Sequence, residues 1–202
     1  MIDPAPQDAR SDRVSPLRRQ RLSAQDWLAA AMRALVAGGP GALKVEPLAR
    51  SLGTTKGSFY WHFADPQALR DALIALWFRL GEAEITASVM ARGARGIAAL
   101  EALLDRIAQP PHDTWGGPGA EAAIRAWAFA DPVVAAAVTE MDGRRLAVLR
   151  QFFAEAGQGD EQAAASARLF YAAVIGQEAL ALTCPGDLRA VLQAQLQMLL
   201  RA

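Results

Sequence analysis

The chain has 202 residues, of which 52% are hydrophobic and 21% charged, with 21 basic and 21 acidic side chains. This composition is typical of a globular protein, and no apolar run reaches the roughly 18 residues that a membrane helix needs. The single cysteine, Cys184, excludes an internal disulfide framework and fits a reducing compartment. Because Met1–Arg21 also lacks the apolar stretch of a secretory signal, we expect a cytoplasmic protein with no membrane partner.

Charge is distributed unevenly along the chain. Residues 1–62 contain nine basic and five acidic side chains, a net charge of +4, and residues 63–202 carry the balancing −4. This is the distribution expected when a nucleic-acid-binding domain precedes a second domain. We expect residues 1–20 to form a disordered N-terminal arm. Its basic end, Arg18, Arg19 and the adjoining Arg21, either reaches a minor groove or belongs to a solubilising tail.

Two helices are predicted before residue 53. The first begins at Ser23, has Asp26 at the capping-box position, and ends at the Gly38-Gly39-Pro40-Gly41 run. The second covers Val45–Leu52, and Pro47 is compatible with it only in the first turn. Apolar residues recur at helical spacing in both segments, which favours one buried face for each helix.

The segment Leu52–Phe63 contains the most informative pattern in the sequence. Gly53 can close the preceding helix in the left-handed conformation, and Thr54 follows it as the candidate N-cap of the next helix. A helix, a tight turn and a second helix at this spacing are typical of a helix-turn-helix. Phe59 and Phe63 are four residues apart and should face the core. The other side chains suit phosphates, base edges and thymine methyls: Thr55, Lys56, Ser58, Tyr60, Trp61 and His62.

The run Thr-Thr-Lys-Gly-Ser-Phe-Tyr-Trp-His-Phe at residues 54–63 resembles the tetracycline-repressor (TetR) family of one-component regulators. The resemblance extends over Ser23–Trp77. It implies an all-helical homodimer, with a helix-turn-helix DNA-binding domain at residues 21–64 and an effector-binding and dimerisation domain at residues 65–202. The alternative, an aromatic-rich core helix, would have to bury three adjacent aromatic or histidine side chains on one face. The DNA-binding residues that the resemblance implies are Lys44, Thr54, Thr55, Lys56, Ser58, Tyr60, Trp61 and His62.

Three positions depart from the pattern of that family. Lys44 stands where the family usually has a Thr or Ser that caps the second helix and touches a phosphate. Glu46 lies near the expected DNA face, where it either accepts from a cytosine amine or is repelled by phosphate. The Ala64-Asp65-Pro66-Gln67 corner lacks the lysines that often bind a phosphate there, which leaves only the N–H groups of the next helix for an anion.

The remainder of the chain is also predicted to be helical, with no strand signal. Asp65-Pro66 begins a long helix, Asp131-Pro132 begins another, and Asp160 is the expected cap of a third. A loop is predicted at residues 110–119. The predicted helices cover 66 to about 90, 93–109, 119–130, 133–141 continuing into 144–156, 161–182, and a last amphipathic segment from Leu188.

The sequence contains few parts for catalysis. His62 belongs to the helix-turn-helix, and His112 lies in a Pro/Gly-rich loop without the Cys or acid spacing of a zinc site. Cys184 has no His or cation beside it in the sequence, and no phosphate-cradling Gly loop is present. We therefore predict no enzyme activity, no metal site and no cofactor.

The C-terminal part instead offers apolar volume for a ligand. Helical bodies of this size commonly contain a pocket, here expected between the helix that begins at Asp65 and those carrying Trp127 and Phe152. The predicted occupant is a small apolar or weakly polar effector. Small-residue faces on the long helices would allow close packing across a dimer axis. The predicted ligand-binding residues are Trp77, Phe78, Trp115, Trp127, Phe152 and Phe170.

The first hypothesis is a ligand-responsive transcriptional regulator, a repressor, that binds a palindromic double-stranded DNA operator as a homodimer. The second is a helical binding module that has lost DNA affinity, which Lys44, Glu46 and Ala64 would favour. An enzyme on a helical scaffold is the third, and it lacks a catalytic constellation.

Overall fold

The computed structural model describes residues 22–82, 93–109, 115–180, 183–184 and 186–201. These residues form helices and turns without a strand, which confirms the all-α fold. Two short 3₁₀ turns, Pro40–Ala42 and Gly117–Gly119, connect longer elements. The helices are α1 (Ala24–Gly38), α2 (Val45–Ser51), α3 (Lys56–Phe59), α4 (Pro66–Glu82), α5 (Gly96–Ile107), α6 (Ala120–Ala128), α7 (Pro132–Glu155), α8 (Asp160–Leu180) and α9 (Leu188–Arg201).

The start of α1 is fixed by the capping box predicted from the sequence. The Ser23 hydroxyl accepts from the Asp26 backbone N–H, and the Asp26 carboxylate accepts from the Ser23 backbone N–H at 2.7 Å. Asp131 caps α7 in a similar way, because its carboxylate accepts from the backbone N–H of Val133 at 2.9 Å. Local sequence is enough for both helix starts, since each cap joins residues at most three positions apart.

The turn between α2 and α3 corrects one prediction. Gly53 has a φ of +62° and closes α2, as expected, but the Thr54 N–H still bonds back to the carbonyl of Ala49 at 2.9 Å. Thr54 therefore belongs to the end of α2, and Thr55 is the residue that caps α3. In a Schellman motif the N–H of the residue after the glycine bonds back to the helix that is ending. Thr54 makes that bond here, so the N-cap of α3 is the next residue, Thr55.

The boundaries in the body differ from the sequence predictions in two places. Helix α7 runs unbroken through Gly143, because Gly143 has no close neighbour and the helical hydrogen bonds continue through it. Asp160 is the first residue of α8, and its carboxylate binds Arg150. The expected extension of α4 to about residue 90, the arm at residues 1–20, and residues 110–114 with His112 lie outside the described residues.

Two separate hydrophobic cores hold the helices together. The first joins α1, α2, the segment around Phe59, α4, α6 and the first half of α7, and so extends across the predicted boundary at residue 64. The second joins α5, the second half of α7, α8 and α9. Helix α7 contributes to both, since Met141 lies in the first core and Phe152 in the second. Within the described residues, no helix is long and apolar enough to cross a bilayer.

Candidate nucleic-acid interface and buried polar cluster

The segment after Gly53 is anchored to the first core by Phe59. Its side chain is 0% exposed and contacts Trp27 edge-on, with ring centroids 5.3 Å apart. Phe63 also lies in the core, as predicted, with its ring centroid 5.4 Å from that of Phe59. Helix α3 has four residues, and the turn that follows it is held by bonds from the His62 and Phe63 N–H groups to the Phe59 carbonyl. The predicted recognition helix is thus one helical turn plus a hydrogen-bonded turn.

The predicted DNA-binding side chains form one largely exposed surface around that segment. Thr55, Lys56, Tyr60 and Trp61 are exposed, and Thr54, Ser58 and His62 are half-buried. Trp61 is 88% exposed, although a large aromatic side chain is usually covered in a free-standing protein. Trp61 and the polar donors around it are therefore accessible to another molecule.

Lys56 is already paired within this surface. Its Nζ lies 3.1 Å from Oε1 of Glu46, and the hydrogen bond to Glu46 raises the pKa of Lys56. The side chains remain 54% and 69% exposed, so water and salt compete with the pair. The two residues are ten positions apart, on opposite sides of the turn, and sequence analysis singled out each one without pairing them.

The starts of α2 and α4 lie near this surface, and their caps determine which groups a phosphate would meet there. Lys44 is the N-cap residue of α2, is exposed, and provides no side-chain cap, which leaves its ammonium as a point charge. At the start of α4 the Asp65 carboxylate accepts from the Ala68 N–H at 2.8 Å. A phosphate at that corner would therefore meet a carboxylate where sequence analysis left helix N–H groups available.

The six predicted ligand-binding residues are divided between the two hydrophobic cores. Trp77 and Trp127 are buried in the first core, with Phe78 and Trp115 half-buried against it. Phe152 and Phe170 belong to the second core, where Phe170 packs edge-on against Phe153 at 6.3 Å between centroids. The structure therefore separates Phe152 and Phe170 from the other four, because each half of α7 packs in a different core.

Four charged side chains, each 13–30% exposed, and one tyrosine on α6, α7 and α8 are linked in a cluster that sequence analysis missed, here called the buried polar cluster because most of each charged side chain is covered. Its members are Glu121, Arg125, Asp142, Arg145 and Tyr171. Arg125 binds Asp142 through both Nη atoms, at 3.0 and 2.6 Å, and its Nε binds Glu121 at 2.9 Å. Arg145 donates to Glu121 and to the Tyr171 hydroxyl, each at 3.0 Å, and that hydroxyl donates to Asp142 at 2.7 Å.

The cluster also contacts the helix that leads to the candidate DNA-binding surface. Trp77 Nε1 on α4 donates to Oε2 of Glu121 at 3.0 Å. Four residues further along α4, a Cβ on Gly81 would lie only 2.9 Å from Nη2 of Arg145. Glycine at this position therefore lets the guanidinium pack directly against the α4 backbone.

Burial and hydrogen bonding displace several pKa values in this region. Burial opposes ionisation of Asp142, but the hydrogen bonds from Arg125 and Tyr171 outweigh it and lower the Asp142 pKa. Burial raises the pKa of Tyr171 to about 12. Burial, together with the charge of Glu121, raises the pKa of the nearby Glu178 to about 7. Within the described residues, no group of three or more His, Cys, Asp or Glu side chains is arranged to hold a metal ion.

One feature of the sequence could have indicated the cluster. Glu121 and Arg125 are spaced four apart in α6 and bracket Ile124, which is fully buried. An acid and a base adjoining a buried position predict an ion pair at the edge of a core. Their partners on α7 and α8 could not be found in this way, because they lie 17 to 46 residues further along the chain.

Comparisons with known proteins agree with this architecture. Residues 28–73 match the family described as "Bacterial regulatory proteins, tetR family". The fold is similar to that of a transcriptional regulator from Rhodococcus sp. Rha1, with a TM-score of 0.69 and 21% identity over 89% of this chain and 97% of that chain. It is also similar to a TetR-family transcriptional regulator from Streptomyces coelicolor, with a TM-score of 0.70 and 19% identity over 89% of each chain.

No curated protein is similar enough in sequence to count as a relative. At the identities of the two solved structures, the similarity shows a common fold. The match to the family model covers the helix-turn-helix segment, including Gly53 and the exposed surface after it. Over residues 28–73 the chain therefore matches the TetR family of bacterial regulatory proteins, which confirms the resemblance expected from the sequence.

Proposed function

We propose that the protein is a ligand-responsive repressor that binds a palindromic DNA operator as a homodimer. The observation that carries the proposal is the exposed surface of Thr55, Lys56, Tyr60 and Trp61 on a segment locked to the core by Phe59. Residues 21–64 serve as the DNA-binding domain and residues 65–202 as the effector-binding and dimerisation domain. A single helical turn contacts few base pairs, so two copies on two half-sites give the specificity that one lacks.

Within the DNA-binding surface we assign two kinds of contact. Thr55 and Lys56 lie at the start of α3 and are assigned to base edges, where the Lys56 ammonium can also neutralise a neighbouring phosphate. Tyr60 and His62 follow the helix and are assigned to phosphates, as are Lys44 and the remaining polar side chains. Phosphate contacts position a protein without reading sequence, whereas base contacts determine which operator is preferred.

The proposed dimer forms through the outer faces of α8 and α9. These faces expose apolar side chains, among them Leu169, which is 55% exposed, and Met198, which is 64% exposed. Small exposed residues such as Ala165 and Ala172 lie beside Leu169 on α8 and would permit close approach of a second copy. Apolar faces of this kind are usually covered by a partner.

A ligand acts as a switch only if it binds one arrangement of the two DNA-binding domains better than the other. Helix α4 supports this role, because it begins beside the DNA-binding surface and ends against the buried polar cluster. A coupling typical of allosteric proteins would change operator affinity by about 5- to 150-fold.

Selection of bound sequences from random double-stranded DNA tests the proposal. We expect enrichment of a palindrome whose half-sites are about one helical turn or a multiple apart, together with a dimer by light scattering. Tyr60→Phe should weaken binding by similar factors on good and poor sites, whereas Glu101→Gln, at an exposed position on α5, should leave it unchanged. A change of preferred operator in Tyr60→Phe would contradict the assignment of Tyr60 to phosphate.

A helical binding module without DNA affinity is the second candidate. It is favoured by Glu46, which neutralises Lys56, and by Asp65, which occupies the start of α4. A monomer that enriches no DNA sequence would support this candidate over the repressor.

A further inference from the structure

Two buried polar atoms at the buried polar cluster have no hydrogen-bond partner. They are Nε of Arg145 and Oε2 of Glu178, on α7 and α8 respectively. A buried polar group without a partner is destabilising, and native structures usually provide a water, an ion or a ligand for it. Glu178 lies seven residues, about two helical turns, after Tyr171 on α8, and the charges of Glu121, Arg145 and Arg125 influence its pKa. Its carboxyl therefore lies within the field of the cluster but outside its hydrogen-bond network.

The charges of the buried polar cluster and Glu178 do not balance. Arg125 and Arg145 carry two positive charges, and Glu121 and Asp142 carry two negative charges that bind them. Glu178 is the fifth ionisable side chain that can be charged near neutral pH, and both guanidinium groups are already engaged by other partners. When Glu178 ionises, the group of five carries one unbalanced negative charge in a buried environment, which is destabilising until a cation neutralises it.

We propose that Glu178 is the counter-ion for the cationic group, an amine or an amidine, of a small effector molecule. This inference rests on the ligand response proposed above and names the chemistry of its ligand. An anionic ligand would meet three carboxylates and two arginines that are already paired, and a neutral ligand would leave the unbalanced charge in place. The effector is therefore a cation, whereas the aromatic residues in the sequence pointed to an apolar one.

The same residues provide a route from this site to the DNA-binding surface. A cation beside Glu178 attracts Glu121 and repels Arg145, the two cluster side chains that contact α4 at Trp77 and Gly81. The hydrogen bond to Trp77 and the contact with Gly81 therefore respond to the ligand charge. Because Trp77 is the donor, its fluorescence reports ligand binding directly.

Three probes of one shape and different charge test the proposal: benzamidine, benzamide and benzoate. Each is titrated into the full-length protein by calorimetry and by Trp fluorescence at pH 8. We expect benzamidine to bind at least about tenfold more tightly than the other two, since only it forms a charge-assisted hydrogen bond with the carboxylate. Equal affinity for the three probes, preference for benzoate, or no binding of benzamidine would overturn the proposal.

Glu178→Gln preserves the shape of the side chain and removes its charge. We expect this variant to lose the preference for benzamidine. Glu101→Gln, at an exposed position on α5, should retain it. Circular dichroism confirms that each variant is folded. Retention of benzamidine selectivity by folded Glu178→Gln would assign the binding to another group.

A pH titration of the unmodified protein gives a test that needs no variant. With a Glu178 pKa of about 7, the ionised fraction falls about tenfold between pH 8 and pH 6, so the benzamidine affinity should fall by about the same factor. Arg125, Arg145, Asp142 and Tyr171 also face this region, and their displaced pKa values lie outside this interval. An affinity that is constant between pH 6 and pH 8 would overturn the proposal.

The DNA-binding selection separates this proposal from the proposed function. A protein that enriches a palindrome but ignores benzamidine retains the repressor assignment and excludes Glu178 as the counter-ion. A protein that binds benzamidine through Glu178 but enriches no DNA keeps the ligand site and excludes the repressor. If both hold, benzamidine should shift operator affinity, and operator DNA should shift benzamidine affinity by the same factor.

Discussion

The molecule uses the same chemistry, a basic side chain beside carboxylates, in two regions with opposite consequences. Lys56 and Glu46 form an ion pair on the DNA-binding surface, where more than half of each side chain is exposed. Arg145 and Glu121 form one in the buried polar cluster, with 13% and 14% of their side chains exposed. Water screens the first pair, so it contributes little to folding and opens readily for a competing phosphate.

The buried pair behaves differently because removing either partner leaves a charge away from water. Its contribution to stability is large when one partner is deleted, even if the whole pair contributes little relative to apolar residues. The main difference between the two regions is burial, since each pair joins one basic side chain to a glutamate. Because of this difference in burial, the exposed ion pair can open to bind another molecule, whereas the buried polar cluster holds α4, α6, α7 and α8 in one arrangement.

The largest expected effect is on stability, from Arg145→Leu. Loss of the guanidinium leaves Glu121 with one fewer partner and should reduce the free energy of unfolding by about 3–5 kcal/mol. The matched control is its neighbour, Arg144→Leu. Arg144 binds Glu82 and Glu140 at an exposed position, so its removal should leave the free energy of unfolding almost unchanged. Urea unfolding of both variants measures the difference, and equal losses would remove the distinction between the two regions.

A smaller effect is expected from Glu178→Gln, and it should depend on pH. The Glu178 pKa is raised from 4.5 to about 7, so between these values the folded state keeps a proton that the unfolded state has lost. The contribution of Glu178 to stability therefore falls as pH rises from 4.5 to 7. The glutamine variant, which has no such loss, should be more stable than the unmodified protein by about 1–3 kcal/mol at pH 8 and similar to it at pH 4.5.

Urea unfolding across this pH interval measures the effect of Glu178→Gln. Glu101→Gln is again the exposed control, with an expected difference that stays near zero at each pH. A constant difference between Glu178→Gln and the unmodified protein would mean that Glu178 does not titrate in this interval.

The smallest effect concerns the exposed pair. Glu46→Gln should change the free energy of unfolding by less than about 1 kcal/mol and should raise DNA affinity by about two- to fivefold, because it frees Lys56. The slope of log affinity against log salt should become steeper by about one unit if Lys56 then neutralises one more phosphate. Fluorescence anisotropy on the selected operator measures both quantities. If Lys56→Ala in the Glu46→Gln background left affinity unchanged, Lys56 would have no role in binding DNA.

The ease of predicting each region from sequence follows from the distance between interacting residues. The capping box of Ser23, the closure of α2 at Gly53 and the inward pairing of Phe59 with Phe63 all join residues within about one helical turn. Such contacts are encoded locally, and the predictions based on them are confirmed. The prediction of Thr54 as the N-cap of α3 was wrong, although the residues concerned are also close in sequence. Thr54 and Thr55 are the same residue type, and only the hydrogen bond from Thr54 to Ala49 shows which one caps the helix.

The sequence by itself determined the all-helical fold, the helix-turn-helix and the residues available to its exposed surface, because periodicity, caps and glycines act within a few residues. Only the tertiary structure decided that Lys56 is paired with Glu46, that Phe152 and Phe170 belong to a second core, and that Arg125 reaches Asp142 and Tyr171. Those contacts join segments that meet only when separate helices pack. Burial, which gives each charge its energetic weight, is likewise a property of the packed molecule.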